Sequence, residues 1–447
     1  MFENKKIFIL GMARSGYEVS KFLAKRNNNI VLNDGSYSQN IEHIKELEDL
    51  GVKVILGSHP DDLFDESYDY LIKNPGVPID HKYALKAKEL GVPVINEVEM
   101  AYQMIPKDKN IKIVSITGTN GKTTTTTLIY EMIKRSGRRV HLAGNIGYPL
   151  SSKLELLEDN DIIVLEISCQ QLENVDTFRP DVAVMTNIDV AHIEFMKTYE
   201  HYKEVKSRII RNMDSNNVAI VNGECDELLN TIKDFDVNFK YFSSKRDNVA
   251  SYLKDNAIYY LDEKIIDVED IKLIGVHNYE NIMAAVSAVK EFGVDNDSII
   301  DVLTTFTGVA HRLEFVRNYN GVLFYNDTEA TNIKCTQIAL NSFNKPTIVI
   351  LGGYERGQDF NDLKDFSSNI KAIVAIGACR NRVKEFAENI NVPVYVYERL
   401  GEAMNGILDI MASGDVVLLS PASASWDQYK QCEDRGDEFK EFVNKLN

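Results

Sequence analysis

Ser115-Ile116-Thr117-Gly118-Thr119-Asn120-Gly121-Lys122-Thr123-Thr124 carries the sharpest chemical signal in the chain. An apolar run at 111–117 leads into it and a helical pattern follows. Strand, glycine turn and helix form the arrangement in which backbone N–H groups and a helix N-terminus hold phosphate. Lys122 is placed to reach the β- and γ-phosphates of a nucleotide, and the Thr123 hydroxyl to hold Mg²⁺. The strict P-loop pattern has glycine where Ile116 stands, so the match is partial. An ordinary strand–helix turn is the bland alternative, but structure alone hardly requires G-K-T-T directly after a β-run.

Three further residues could share that site. Glu166 ends the run DIIVLEIS (161–168), and a carboxylate at the C-terminal edge of a parallel strand suits Mg²⁺. His192 follows another such run, where a lone histidine is more often a plain polar residue. Lys206 falls within an apolar helical stripe, between Tyr202 and Ile209/Ile210. Helix geometry by itself favours a snorkelling lysine with its head in water. The sharper alternative is a desolvated amine of lowered pKa, able to add CO₂ as a carbamate.

Near the N-terminus, Gly11, Arg14, Ser15 and Gly16 follow a first β-run and Asp34 ends the second, the layout of a dinucleotide-binding fold. Only the first and last glycines of G-x-G-x-x-G are present. The loop can therefore hold a diphosphate without implying NAD, and a dehydrogenase reading is disfavoured. Towards the C-terminus, Gly352-Gly353-Tyr354-Glu355-Arg356-Gly357 presents Arg356 on a glycine turn. Its guanidinium fork suits a carboxylate, although surface arginines on such loops are common.

Short β-rich runs alternate with helical patterns almost throughout, which predicts βαβ units and mostly parallel sheets. The strands expected in the last block are 321–327, 346–353, 370–377, 392–398 and 415–421. The stretch 239–268 reads as small antiparallel strands. Boundaries near 104 and 308 give three domains: 1–104 Rossmann-like, 105–308 of P-loop ATPase type with a parallel sheet plus a small antiparallel one, and 309–447 doubly wound. The 447 residues exceed one core, and 44% apolar content is ordinary for a globular protein. A net charge of −17 without a basic block argues against nucleic acid or an anionic membrane as partner. Five scattered cysteines without C-x-x-C fit reduced thiols, and neither a signal peptide nor a membrane-length run is present. A cytoplasmic monomer is expected.

The loop T-G-T-N-G-K-T resembles that of the Mur ligases and their folylpolyglutamate synthase relatives, which lack the first glycine. The similarity continues in register along the chain. Y-K-E-V-K-S-R-I (202–209) resembles the family segment whose lysine is carbamylated, which reverses the snorkelling preference for Lys206. It implies a first Mg²⁺ at Thr123 and Glu166 and a second at His192 and carbamylated Lys206. His277-Asn278-x-x-Asn281 resembles the segment whose second Asn contacts adenine, and Arg312 and Asp327 match nucleotide contacts. Gly118, Thr119, Asn120, Gly121, Lys122, Thr123 and Thr124 complete the implied ATP site.

By the same resemblance the first domain holds UDP, with Arg14 and Ser15 near the diphosphate, Asp34 near uridine, and Asn145 and His192 toward the sugar. Leu418–Tyr429, followed by Glu433-Asp434-Arg435-Gly436, is similar to the D-glutamate-adding branch of the family. Thr331, Arg356, Ser425 and Trp426 then serve D-glutamate. The implied reaction is ATP-dependent joining of D-glutamate to the L-alanyl carboxylate of UDP-N-acetylmuramoyl-L-alanine in peptidoglycan precursor synthesis. Two departures stand out: Glu329 where the family usually has lysine, and Ser168-Cys169-Gln170-Gln171 where it usually reads S-S-F-Q. A sister ligase for another amino acid, or a nucleotide-binding homologue without activity, are the alternatives.

Overall fold

The computed structural model describes residues 2–446 apart from 192 and 274. Three sheets carry the chain. The first comprises β1 (Lys6–Leu10), β2 (Asn29–Asp34), β3 (Lys53–Leu56), β4 (Tyr70–Lys73) and β5 (Val94–Ile95), all parallel, in the order β3-β2-β1-β4-β5. The strand order reverses between β1 and β4. The turns after those two strands, at Gly11–Gly16 and Asn74–Gly76, therefore open side by side, which is where open α/β sheets take ligands.

The second sheet contains β6 (Lys112–Thr117), β7 (Val140–Gly144), β8 (Ile162–Glu166), β9 (Val182–Met185), β10 (Val218–Asn222), β11 (Asn238–Ser243), β12 (Ser251–Lys254), β13 (Ala257–Tyr260) and β14 (Glu263–Asp267). Its order is β14-β13-β12-β11-β10-β9-β6-β8-β7. Every residue of β8 and all but the first of β6 are buried, as expected for parallel strands covered on both faces. Of the stretch 239–268 expected to be antiparallel, β12 to β14 form antiparallel pairs, whereas β11 is parallel to β10 and so continues the main sheet. The antiparallel strands extend the edge of this same sheet, and β11 and β12 still pair in parallel.

The third sheet holds β15 (Glu314–Tyr319), β16 (Val322–Asn326), β17 (Thr347–Gly352), β18 (Ile370–Ile376), β19 (Val394–Val396) and β20 (Val416–Leu419), in the order β15-β16-β20-β17-β18-β19. One of its faces buries Val349, Leu351, Leu363, Val383 and Phe386; the other buries Phe324, Ile350, Met404, Ile407 and Phe439. Helices thus cover both faces, giving the expected doubly wound layer. The edge strand β15, antiparallel to β16, lies outside the strands read from the sequence. Its residues are mostly half-buried rather than alternating, so the period-2 signal is weak.

The chain forms two compact units: Met1–Ile271 with Val276–Thr304, and Lys272–Gly275 with Thr305–Asn447. The first unit contains the first two sheets and the second unit the third. In the first unit, Glu99 is fully buried on the helix Glu97–Gln103. Its carboxylate accepts the N–H groups of Asp176, Thr177 and Phe178, joining that helix to the segment after β8.

Candidate active site

Three strand ends of the second sheet build the site. The central β6 has β8 on one side and β9 on the other, so their following loops converge on one edge. The phosphate-type loop follows β6 and feeds the helix Lys122–Arg135. Gly121 caps that helix at φ +80°, and Gly118 lies at φ +154°. A Cβ on Gly118 would overlap Thr186 Oγ1, and one on Gly121 would overlap Asn281 Oδ1. Both glycines are therefore required by conformation and by close approach.

The loop is held from the β9 side. Thr119 N–H donates to Asn187 O at 3.0 Å, Asn120 N–H to Asn187 Oδ1 at 2.8 Å, and Thr186 Oγ1 to Asn120 O at 2.6 Å. The Thr119 hydroxyl lies 2.8 Å from Tyr202 OH. Lys122 Nζ donates to Thr119 O at 3.0 Å. Thr123 and Thr124 are half-buried on the first helical turn.

Lys206 is 1% exposed on the helix Tyr199–Ser207, so the snorkelling geometry is not adopted. Its amine turns inward to the end of β6 instead. Its Nζ donates to Gly118 O at 2.6 Å and Thr117 Oγ1 at 3.0 Å. Burial, helped by the charge of Lys122, lowers its pKa from 10.5 to about 7. The amine is thus substantially neutral near neutrality.

Glu166, at the end of β8, is 1% exposed. One carboxylate oxygen accepts from Asn145 Nδ2 at 2.7 Å, while Oε2 has no hydrogen-bond partner among the described residues. A buried carboxylate oxygen left without a donor is costly unless a cation meets it. Glu166 ends the strand that pairs beside β6, which leads into the phosphate loop, and a free carboxylate oxygen there is the hard donor that Mg²⁺ takes. His192, assigned to the second metal and the sugar, lies outside the described residues.

Gly118, Lys122, Asn145, Ser168, Cys169, Gln170, Phe195 and Lys206 line one cleft of about 370 Å³ together with Pro75 and Gly76 from the first sheet. Ser168 caps the short helix Cys169–Leu172 in a box with Gln171, so the altered S-C-Q-Q segment keeps its local structure. The first sheet's switch point adjoins this cleft. Arg14 donates to Gly147 O at 2.9 Å, and Ser15 Oγ accepts from Asn74 Nδ2 at 2.8 Å. Asp34 accepts the N–H groups of Met12 and Ser36, so it shapes the loop as well as facing it. Asn281 is buried against Gly121, 3.4 Å from Thr125 Oγ1. Sequence reasoning missed Lys73, which is 1% exposed and donates to Val77 O at 2.8 Å, fixing the Asn74–Val77 turn. A lysine ending a strand gives no signal of burial.

In the second unit, the ends of β16, β20 and β17 are neighbours because β20 inserts between the other two. This gathers Asp327, Thr331, Arg356, Ser425 and Trp426 at one end of the third sheet. Asp327 accepts from Ser420 Oγ at 2.7 Å and Leu313 N at 3.1 Å, and burial raises its carboxyl to about 7. Ser425 is 1% exposed and its hydroxyl has no partner among the described residues. Exposed Arg356 lies 4.2 Å over the ring of Trp426. The unusual Glu329 has Arg312 at 3.9 Å and Cys432 Sγ at 3.5 Å. Its reversed charge thus has a cation nearby, while burial and the two neighbouring glutamates push the Cys432 thiol up to about 12.

These arrangements agree with known proteins. The Mur ligase MurD-like N-terminal domain matches residues 5–96, the Mur ligase middle domain 116–289, and the Mur ligase glutamate ligase domain 311–423. A UDP-N-acetylmuramoylalanine–D-glutamate ligase of Lactococcus lactis is 40% identical over 439 residues, covering 98% of this chain and 97% of the relative. One from Geobacillus kaustophilus is 40% identical over 449 residues, with 100% and 98% covered. Among solved structures, a UDP-N-acetylmuramate–alanine ligase from Thermotoga maritima superposes with a TM-score of 0.61 at 17% identity, covering 98% of this chain and 99% of that one. Its low identity speaks for the fold only. Identity of this level over the whole length, with all three domains in order, means that the chain belongs to the Mur ligase family.

Proposed function

We propose that the protein is an ATP-dependent ligase that joins D-glutamate to the L-alanyl carboxylate of UDP-N-acetylmuramoyl-L-alanine, with release of ADP and phosphate. The observation that carries this reading is full-length similarity to relatives named for that activity. The converging Lys122, Glu166 and Lys206 supply the chemistry it needs. Residues 1–104 take the UDP substrate through Arg14, Ser15, Asp34 and Asn145. Residues 105–308 take ATP, and residues 309–447 take D-glutamate through Thr331, Arg356, Ser425 and Trp426. By resemblance Asn281 in the first unit is a nucleotide contact, and Arg312 and Asp327 in the second are family nucleotide contacts as well.

The γ-phosphoryl group passes to the L-alanyl carboxylate, and the amine of D-glutamate attacks the resulting acyl phosphate. The chain's own part is mainly to position and to neutralise charge. The loop N–H groups and Lys122 hold the phosphates. Thr123 and Glu166 are the residues for one Mg²⁺, and His192 with carbamylated Lys206 for a second. These ions neutralise phosphate charge when bound. A neutral Lys206 amine adds CO₂ and loses a proton to become that carbamate. No helix of the described residues is long and apolar enough to cross a membrane, and the acidic chain is assigned to the cytoplasm as a monomer.

Phosphate release from ATP tests the reading, with Mg²⁺, the nucleotide sugar and single amino acids. Release that requires both the nucleotide sugar and D-glutamate is expected. Release with a different amino acid alone would move the specificity to a sister ligase. No release from folded, ATP-binding protein would leave a nucleotide-binding homologue.

A further inference from the structure

Among the described residues, Arg435 is the largest fully buried side chain, at 1% exposure. It sits in the first turn of the helix Cys432–Asn444, where the helix dipole disfavours a cation. Among the described residues, no carboxylate hydrogen-bonds to it. The adjacent acids are turned elsewhere: Asp434 accepts from Gln431, and Glu433 from Cys432 Sγ. A guanidinium has five N–H donors in a fixed plane. Here each finds an acceptor. Nε donates to Thr328 Oγ1 at 2.9 Å, and NH2 to Thr328 O at 3.1 Å and Ser423 O at 3.0 Å. NH1 reaches Gly352 O and Ala424 O, each at 3.5 Å.

Those acceptors lie at the C-terminal end of β17 and in the loops that follow β16 and β20, so three loops start at or near them. Each continues towards residues assigned to the amino acid: Thr328 towards Thr331, Gly352 towards Arg356, and Ser423 and Ala424 into Ser425. The loops are also tied to one another directly: Gly352 N–H donates to Pro421 O at 2.9 Å, Tyr354 N–H to Ala424 O at 2.8 Å, Ser420 Oγ to Asp327 Oδ2 at 2.7 Å and Gln358 Nε2 to Ser423 Oγ at 2.5 Å. Arg435 adds a single side chain that bonds to all three at once. Gly353 leaves room for it, since a Cβ there would stand 3.0 Å from Arg435 NH1 and overlap Ala424 O.

We propose that Arg435 is the positioning residue of the amino-acid subsite: its single planar fork sets the mutual geometry of Thr331, Arg356 and Ser425, and so the affinity for the amino-acid dicarboxylate. This rests on the reading of that end of the third sheet as the D-glutamate site. Burying an unpaired charge is unfavourable, and five hydrogen bonds to three loops offset that cost where a packing role alone could use an apolar side chain. Lysine, with three donors at one point, cannot span the same acceptors.

The test is steady-state phosphate release by full-length Arg435→Lys and Arg435→Ala, with nucleotide binding as the control for folding. In both variants KM for D-glutamate rises about tenfold or more, while KM for ATP and for the nucleotide sugar stays within about twofold. Guanidinium chloride at low millimolar concentration lowers KM for D-glutamate in Arg435→Ala and leaves the wild type unchanged. An unchanged KM for D-glutamate in Arg435→Lys overturns the proposal. So does equal loss on all three substrates without rescue, or failure of both variants to bind nucleotide, because the role is then purely structural. A wild type that turns over without needing D-glutamate refutes the functional reading instead.

Discussion

Replacing Lys206 with methionine separates the stability cost of a buried amine from its use. The side chain is 1% exposed, and its drop from 10.5 to about 7 means that folding disfavours the charged form by on the order of 5 kcal/mol at 1.36 kcal/mol per tenfold. The sign follows from proton uptake. Between pH 7 and 10.5 the unfolded lysine holds a proton that the folded one has released, so stability rises with pH across that window. The penalty is absent above 10.5 and complete below 7. From pH 7 to pH 9 the wild type should therefore gain about 2 kcal/mol relative to Lys206→Met, other groups cancelling in the comparison. The methionine keeps the apolar stem and loses two hydrogen bonds, so at pH 7 the variant should be no less stable than the wild type. Urea unfolding of both proteins in CO₂-depleted buffer at the two pH values measures this without any reference to catalysis. A stability difference that stays the same at pH 7 and pH 9 refutes the buried-neutral-lysine argument. Added bicarbonate should raise the melting temperature of the wild type and not of the variant, and Lys206→Met should lose turnover by about 10³-fold or more if the carbamate is used.

Lys122→Ala should abolish phosphate release, and near-normal turnover would refute the phosphate-loop assignment. Gly121→Ala forces a Cβ onto Asn281 at φ +80°, so calorimetric titration should show nucleotide affinity falling about tenfold or more while the second unit stays folded. Glu166→Gln gives the orphaned buried oxygen's position a donor group and removes its charge; thermal stability without Mg²⁺ should hold or rise, whereas Mg²⁺-dependent turnover should collapse. Glu329→Gln removes one of the two acids that hold up the Cys432 thiol, so alkylation of Cys432 at pH 9 should quicken, read by mass spectrometry of the labelled peptide.

The expected three-domain α/β order was legible because short, wholly apolar β-runs alternating with helices have few other solutions. The phosphate loop was legible for a local reason: its glycines and lysine act within one strand–turn–helix. β15 escaped because its half-buried residues do not alternate. The burial of Lys206 was not legible from helix geometry, which places the residue in the apolar stripe and cannot say how deeply that stripe sits. Resemblance supplied that answer, and the fold gives its cause: Lys206 Nζ is enclosed by Thr117 Oγ1 and Gly118 O at the end of β6.

Sequence by itself determined the local pieces: which turns can hold phosphate, which strand ends carry acids, and which segments belong to one family. Tertiary structure decided their company. Asp327, Arg356 and Ser425 are far apart along the chain and meet because β20 returns to lie between β16 and β17. Glu166 reaches the phosphate loop because β8 pairs beside β6, and the five-way fork of Arg435 exists only once three loops close around it. Strand order is fixed by packing and crossover handedness over the whole sheet, and neither is written in any single segment.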